Sequence, residues 1–211
     1  MDGRVFDIGA TTAVALRLFR AGVPALRSGP SAAHDNGNGS LMRVLPLALW
    51  HAGSDEQLVP DAHQQSCVTH GHLRAQVCCA LYTLWARRVL SANVDPWKDA
   101  TATLRSLYTN NPAALRELNG SLQPDDPPLG NGTGYVVDCL RTAREVLTAG
   151  CYEQVVRAAI RKGHDTDTTA CVAGGIAGLR DGLRSIPERW RTSLRGREIY
   201  EPLLERLLAR L

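Results

Sequence analysis

Lysine is nearly absent from this sequence. Lys98 and Lys162 are the only two, and arginine supplies the other positive charges. The net charge is +3 over 211 residues, with basic side chains spread along the chain, so no basic stripe offers itself to nucleic acid. No run of roughly 18 apolar residues occurs, and the opening MDGRVFDIGA lacks a basic segment followed by an apolar one. Neither a membrane span nor a secretory signal is expected. The arginine bias can serve phosphate recognition, or it can reflect nothing more than coding-sequence base composition. None of the six cysteines forms a CxxC pair, and the neighbours Cys78 and Cys79 cannot bridge each other without strain. Zinc and disulfide frameworks are set aside on that basis. The cysteines fall in apolar helical patterns, where a thiol packs as a small hydrophobe. A soluble, cytoplasmic protein with reduced thiols is the expectation.

What the sequence does have is helical period nearly throughout. Phe6–Ala21 carries Ala13, Leu16 and Phe19 on one face and stops at Gly22. Residues 23–39 form a Pro/Gly/Ser/Asn-rich loop, followed by a short apolar helix over Leu41–His51. Ser54 with Gln57 has the spacing of a capping box for the next helix. Thr69-His70-Gly71-His72 is a break, and Leu73–Leu90 makes a long apolar helix after it. Asp95-Pro96 opens another helix with proline at its first position. Leu122–Gly134 is a second long loop, and helical patterns resume over Tyr135–Leu147, Tyr152–Arg161, Thr168–Gly182 and Arg197–Leu211. Val136-Val137 is too short to argue for a strand. With no internal repeat and no linker, one all-α domain over residues 1–211 is expected.

Two long loops inside a compact helical domain call for a reason, because such loops are usually functional or disordered. Both are rich in Gly and Asn, which allow φ > 0 and close approach of backbone to a ligand. The first ends in Asn36-Gly37-Asn38-Gly39-Ser40 ahead of Leu41-Met42-Arg43, a possible anion seat of backbone amides or a plain loop-to-helix cap. The second ends in Gly132-Thr133-Gly134-Tyr135, whose ring can stack on a base or pack in the core. His70 at the helix break either faces a ligand or is a satisfied structural residue.

Asp165-Thr166-Asp167-Thr168 places two carboxylates and a hydroxyl together at the start of a helix. An all-oxygen set of that kind suits Mg²⁺ or Mn²⁺ rather than zinc, while capping of the helix is the structural alternative. Gly174, Gly178 and Gly182 follow at four-residue intervals. Each mid-helix glycine costs about 1 kcal/mol relative to alanine, so a helix pressed closely against its neighbours is expected, holding its N-terminal side chains rigidly.

Taken in order, NGNGSLMRVLPLAL, THGH, GTGYVVDCL and GHDTDTTACVAGGIAGLRDG closely resemble the ADP-ribosylglycohydrolase family, and FDIGATTAVAL and IPERW look like further family segments. The resemblance runs through almost the whole chain. It implies an all-α orthogonal multi-helix bundle with a binuclear Mg²⁺ or Mn²⁺ centre, and hydrolysis that releases ADP-ribose from modified protein side chains or related acceptors. Asp165, Asp167 and Thr168 match the family's C-terminal metal ligands, and the two aspartates are the catalytic candidates. Asn38, Gly39, Ser40, Met42 and Arg43 match the loop near the distal ribose and phosphates. His70 matches a ligand-facing histidine, and Tyr135 an aromatic near the adenine. The partners implied are ADP-ribose or ADP-ribosylated protein. Family members draw their other metal ligands from a Thr-Asp-Asp-Thr run ahead of the FDIG-like segment. These 211 residues contain no such run, and Asp125-Asp126, followed by prolines, lies at the wrong point in the order. The implied fold is therefore an N-terminally truncated form of the bundle, and a catalytically inactive ADP-ribose-binding or interaction module stands as the alternative function.

Overall fold

A helix that is apolar on every side has to be enclosed by others, and Leu73–Leu90 is such a helix. Ten consecutive residues, Val77–Ala86, are buried. In the computed structural model, which describes residues 7–209, this helix is the axis of the molecule. Phe6 and Leu211, the expected outer limits of the first and last helices, lie outside the described residues.

In chain order the α-helices are α1 (Ala10–Arg20), α2 (Leu45–Trp50), α3 (Asp55–Cys67), α4 (Leu73–Leu90), α5 (Pro96–Leu107), α6 (Pro112–Arg116), α7 (Val136–Val146), α8 (Tyr152–Arg161), α9 (Thr166–Asp181), α10 (Glu188–Ser193) and α11 (Arg197–Leu208). A π-helical segment, Glu117–Leu122, continues α6. Among the described residues there is no strand, and an isolated antiparallel bridge joins Gly37 to Tyr135. Helices α2, α3, α5, α7 and α9 surround α4, and α8 lies against α9. Their buried apolar residues make one cluster.

Local chemistry accounts for several limits. Backbone N–H of Ser54 donates to Gln57 Oε1 at 3.1 Å, which is the reciprocal half of the expected capping box. Asp95 accepts from the backbone of Lys98 ahead of Pro96, as expected for a capped, proline-led helix. Helix α2 begins at Leu45 rather than Leu41. Pro46 has no N–H to extend the preceding turn, so it fits only in the first turn of a new helix. Across the core, Asp55 of α3 bonds Arg87 at 3.1 Å and Arg88 at 2.5 Å on α4, and Arg88 also reaches Asp99 of α5.

Two expectations about helix faces fail. On α1 the buried residue is Ala15, whereas Leu16 and Phe19 are 45% and 56% exposed, because no described element covers their stripe. On α9 the tightest glycine is Gly175, not the series Gly174, Gly178 and Gly182. A Cβ at Gly175 would stand 2.6 Å from Tyr82 Oη and 2.8 Å from Leu45 Cδ2. One at Gly174 would meet Val156 Cγ2 at 3.4 Å and Tyr152 Oη at 3.5 Å, one at Gly178 would meet the Tyr152 ring at 3.7 Å, and Gly182 terminates the helix with φ +78°. Close packing of α9 is thus real, but its tight face is toward α4, where Tyr82 Oη donates to Val172 O at 2.9 Å.

All six cysteines are free thiols. Cys78, Cys79 and Cys139 are buried as small hydrophobes, while Cys151 and Cys171 are exposed, contrary to the apolar pattern around them. No described helix is long and apolar enough to cross a membrane.

Candidate functional site

Helix α9 starts two residues earlier than its periodicity predicts, which changes the setting of the Asp165–Thr168 run. Asp165 is the N-cap residue, and Asp167 and Thr168 sit in the first helical turn. Gly163 and His164 reach it through consecutive positive φ angles of 76° and 56°. The capping alternative can now be weighed directly. The Asp165 carboxylate accepts no bond from the α9 backbone. It accepts instead from Asn38 Nδ2 at 2.8 Å, across 127 residues of chain. Asp167 is exposed beside it, and Thr168 is buried with its hydroxyl 3.9 Å from Met42 Sδ.

The first loop is held mainly by shape. Backbone N–H of Asn38 donates to Gly134 O, and that of Val136 to Asn36 O, both at 2.9 Å. The His70 ring packs against the glycines. A Cβ on Gly39 would stand 2.8 Å from its Cε1, and one on Gly37 would stand 3.4 Å from its Nε2. Neither glycine has positive φ, so their role is space for an imidazole rather than backbone freedom. His70 is 3% exposed, with Nδ1 2.8 Å from Thr69 Oγ1. Burial, with Arg43 adding to it, brings its pKa down to about 4, so the ring is neutral at pH 7. Ser40 is fully buried, and its hydroxyl accepts from Ser66 Oγ at 2.9 Å. With none of its surface exposed, and its carbonyl 3.4 Å from Gln65 Nε2, Ser40 supports the loop from within rather than facing a ligand, contrary to the expectation for it. Arg43 turns back to bond Gly39 O at 3.1 Å and Gln65 O at 2.8 Å, fastening the loop to α3. Met42 is exposed next to Thr168.

The second loop is held by a polar clamp that sequence reasoning missed. Four consecutive backbone N–H groups donate to side chains of α7: Gly130 to Glu145 at 3.0 Å, Asn131 to Asp138 at 2.8 Å, Gly132 to Thr142 at 3.0 Å, and Thr133 to Asp138 at 2.6 Å. Those three acceptors, spaced i, i+4, i+7, form one stripe of α7. Lys162 closes the clamp, donating to Gly130 O at 2.9 Å and Glu145 at 2.6 Å. Gly132 O then accepts from the backbone N–H of Asp165 at 2.9 Å. The signal available in the sequence was the polar stripe Asp138, Thr142 and Glu145 directly after a glycine loop. Tyr135 follows that loop, 39% exposed, with its hydroxyl accepting from Arg74 Nη1 at 3.0 Å.

The residues singled out from the sequence therefore come together. Asn38 and Asp165 touch, Gly134 borders Asp165, His70 backs Gly39, and Met42 meets Thr168. Asp125 does not join them; it pairs with Arg105 far along the loop. By kind, the donors at the turn suit a hard divalent cation: two carboxylates and a hydroxyl, with Asn38 orienting one carboxylate. By number they fall short, since no group of three or more His, Cys, Asp or Glu side chains converges among the described residues. A cavity of about 580 Å³ lies elsewhere, lined by Val59, Pro60, His63, Leu107 and Tyr108 among others. The polar groups of the Asp165–Thr168 turn and the two glycine loops are not part of its lining.

Comparison with known proteins bears on this arrangement. The family profile described as ADP-ribosylglycohydrolase matches residues 1–211. An ADP-ribosylarginine hydrolase Tri1 of Pseudomonas putida (strain GB-1) is 28% identical over 219 residues, covering 100% of this chain and 56% of the relative. An ADP-ribosyl-[dinitrogen reductase] glycohydrolase of Rhodospirillum rubrum is 24% identical, covering 92% of this chain and 62% of the relative. The chain thus spans somewhat over half the length of these curated relatives. A solved structure titled ADP-ribosylglycohydrolase-related protein complex superposes with a TM-score of 0.69 at 29% identity, covering 96% of this chain and 69% of the other.

Proposed function

The chain belongs to the ADP-ribosylglycohydrolase family, and from that premise we propose that it is a metal-dependent hydrolase releasing ADP-ribose from ADP-ribosylated protein side chains. The observation that carries the reading is the Asn38–Asp165 bond of 2.8 Å, which joins the glycine loop to the paired-carboxylate turn. The substrate class comes from relatives named for ADP-ribosylarginine and for ADP-ribosyl-dinitrogen reductase.

On this reading Asp165, Asp167 and Thr168 would hold Mg²⁺ or Mn²⁺, with the remaining positions going to water or to donors outside this sequence. When bound, the cation supplies Lewis-acid polarisation of a ribose hydroxyl or an activated water. The chain's own residues do the rest. Asn38 fixes the rotamer of Asp165, and His70 and Arg43 keep the Gly37–Gly39 backbone in place for ribose and phosphate. The Tyr135 ring presents a face to the adenine. Water adds to the anomeric carbon, the bond from that carbon to the acceptor breaks, and the acceptor leaves with a proton. On this reading Asp165 and Asp167 take and pass that proton.

The test is release of ADP-ribose from an ADP-ribosylated protein in the presence of Mg²⁺ or Mn²⁺. Asp167→Ala should reduce the rate by about 100-fold or more. Absence of turnover, or an undiminished rate in the variant, would contradict the proposal. A second reading has its own observation, the lack of a third convergent metal-binding side chain of the His, Cys, Asp or Glu type among the described residues. It makes the chain a non-catalytic ADP-ribose-binding module. Heat on titration with ADP-ribose, without turnover, would favour it.

A further inference from the structure

Arg74 is the second residue of α4, directly after the break that carries His70. Its guanidinium is committed on two edges. Nη1 donates to Tyr135 Oη at 3.0 Å, and Nε donates to Glu117 Oε2 at 2.8 Å. Glu117 opens the π-helical segment 117–122, a local irregularity of a kind that often marks functional positions. The side chains of Arg74 and Glu117 are only 25% and 19% exposed, so the pair is sheltered from competing water. Tyr135 differs: its ring is at the surface, and its backbone is fixed by the bridge to Gly37 and by the clamped loop before it. A ring with a fixed backbone and an exposed face has one freedom left, rotation about its side-chain bonds. The hydroxyl bond to Arg74 removes it.

We infer that Arg74, held by Glu117, is a positioning residue that sets the orientation of the Tyr135 ring and thereby fits the site to ligands carrying a purine base. This rests on the reading that Tyr135 faces the adenine of ADP-ribose. Three physical points support it. A guanidinium is planar and donates in fixed directions, so anchoring one edge on Glu117 aims the other at the phenol. Arg is a donor only, so the phenol must accept from it, and its own hydrogen is left to point toward a ligand acceptor. Finally, burial pushes the Glu117 carboxyl up, and the hydrogen bonds from Arg74 and Ser121 together with nearby positive charge outweigh that, leaving it below the ordinary value and ionised at neutral pH.

The experiment is calorimetric titration of this chain with ADP-ribose, ADP and ribose 5-phosphate. Parent, Arg74→Met, Glu117→Gln, Tyr135→Phe and the Arg74→Met/Tyr135→Phe double variant are compared. Arg74→Met and Tyr135→Phe should each weaken ADP-ribose and ADP by about five- to tenfold, in line with the value of aromatic stacking on a base. Ribose 5-phosphate should change by less than about twofold, and the double variant should be no weaker than either single one. Equal losses for the ligand without a base, or additive losses in the double variant, would overturn the inference in favour of a purely structural ion pair. If the parent binds none of the three, the ADP-ribose reading itself fails. The coupling is then read from the ring NMR signals of Tyr135. They should shift in both Arg74→Met and Glu117→Gln, and unchanged ring signals would overturn it.

Discussion

The two glycine-rich loops that meet at Asp165 have similar composition and are held by different partners. The first, around Asn36–Ser40, fits its glycines against the buried His70 ring and sinks Ser40 into the core. The second, Gly130–Thr133, gives its backbone amides to charged and hydroxyl side chains of α7. One is fixed by close packing, where interiors resist even small additions of volume. The other is fixed by hydrogen bonds to α7, with Gly130 seated closely against that helix. Loop composition alone does not say which mechanism operates; the partner element decides.

Acidification should separate the two most strongly. The folded pKa of His70 is about 4, below the ordinary 6.5. Its contribution to stability is therefore complete above pH 6.5 and is lost as pH falls toward 4. A shift of this size corresponds to on the order of 3 kcal/mol. His63, also brought down to about 4 by burial, titrates in the same direction. Urea unfolding across that window should show the loss, and His70→Asn should flatten part of the profile. A flat profile in the parent chain would remove the packing account of the first loop.

Next in size is Gly130→Ala. Its Cβ would stand 2.1 Å from Thr142 Oγ1, 2.7 Å from Thr142 N and 2.9 Å from Asp138 O. Two of those atoms are backbone and cannot step aside, so a loss of about 3 kcal/mol is expected. Gly39→Ala should cost less, about 1–2 kcal/mol, because the obstacle is an imidazole that can tilt. That cost should shrink when His70 is also replaced by Ala, since the two changes share one contact. Thermal melts of the single and double variants check both, and a Gly39→Ala cost that persists when His70 is replaced would break the packing account of the first loop.

Much of the fold was legible from the chain itself. Leu73–Leu90 and Tyr152–Arg161 have the limits that their period implies, and the Ser54–Gln57 box sits where its spacing puts it. Failures came where periodicity meets a question of partnership. Leu16 and Phe19 form a stripe on α1, but no pattern within α1 tells whether anything covers it. The four-residue glycine series on α9 pointed to close packing, yet the critical contact is at Gly175, fixed by where Tyr82 happens to stand. For the site, the motif residues lie together because the two long glycine-rich loops and the start of α9 carry them. The Arg74–Glu117 pair leaves no period in the sequence, and the polar stripe on α7 does not by itself say which backbone it bonds.

The central claim is that Asn38, the two loops and the Asp165–Thr168 turn form one metal-assisted seat for ADP-ribose. Titration of the parent chain with ADP-ribose, with and without Mn²⁺, alongside Asn38→Ala and Asp165→Ala, tests it most directly. The expected result is saturable binding that Mn²⁺ strengthens, weakened by about tenfold or more in each variant as an oriented ligand or its orienting partner is lost. Binding that ignores both Mn²⁺ and the two substitutions, or no binding at all, would contradict it.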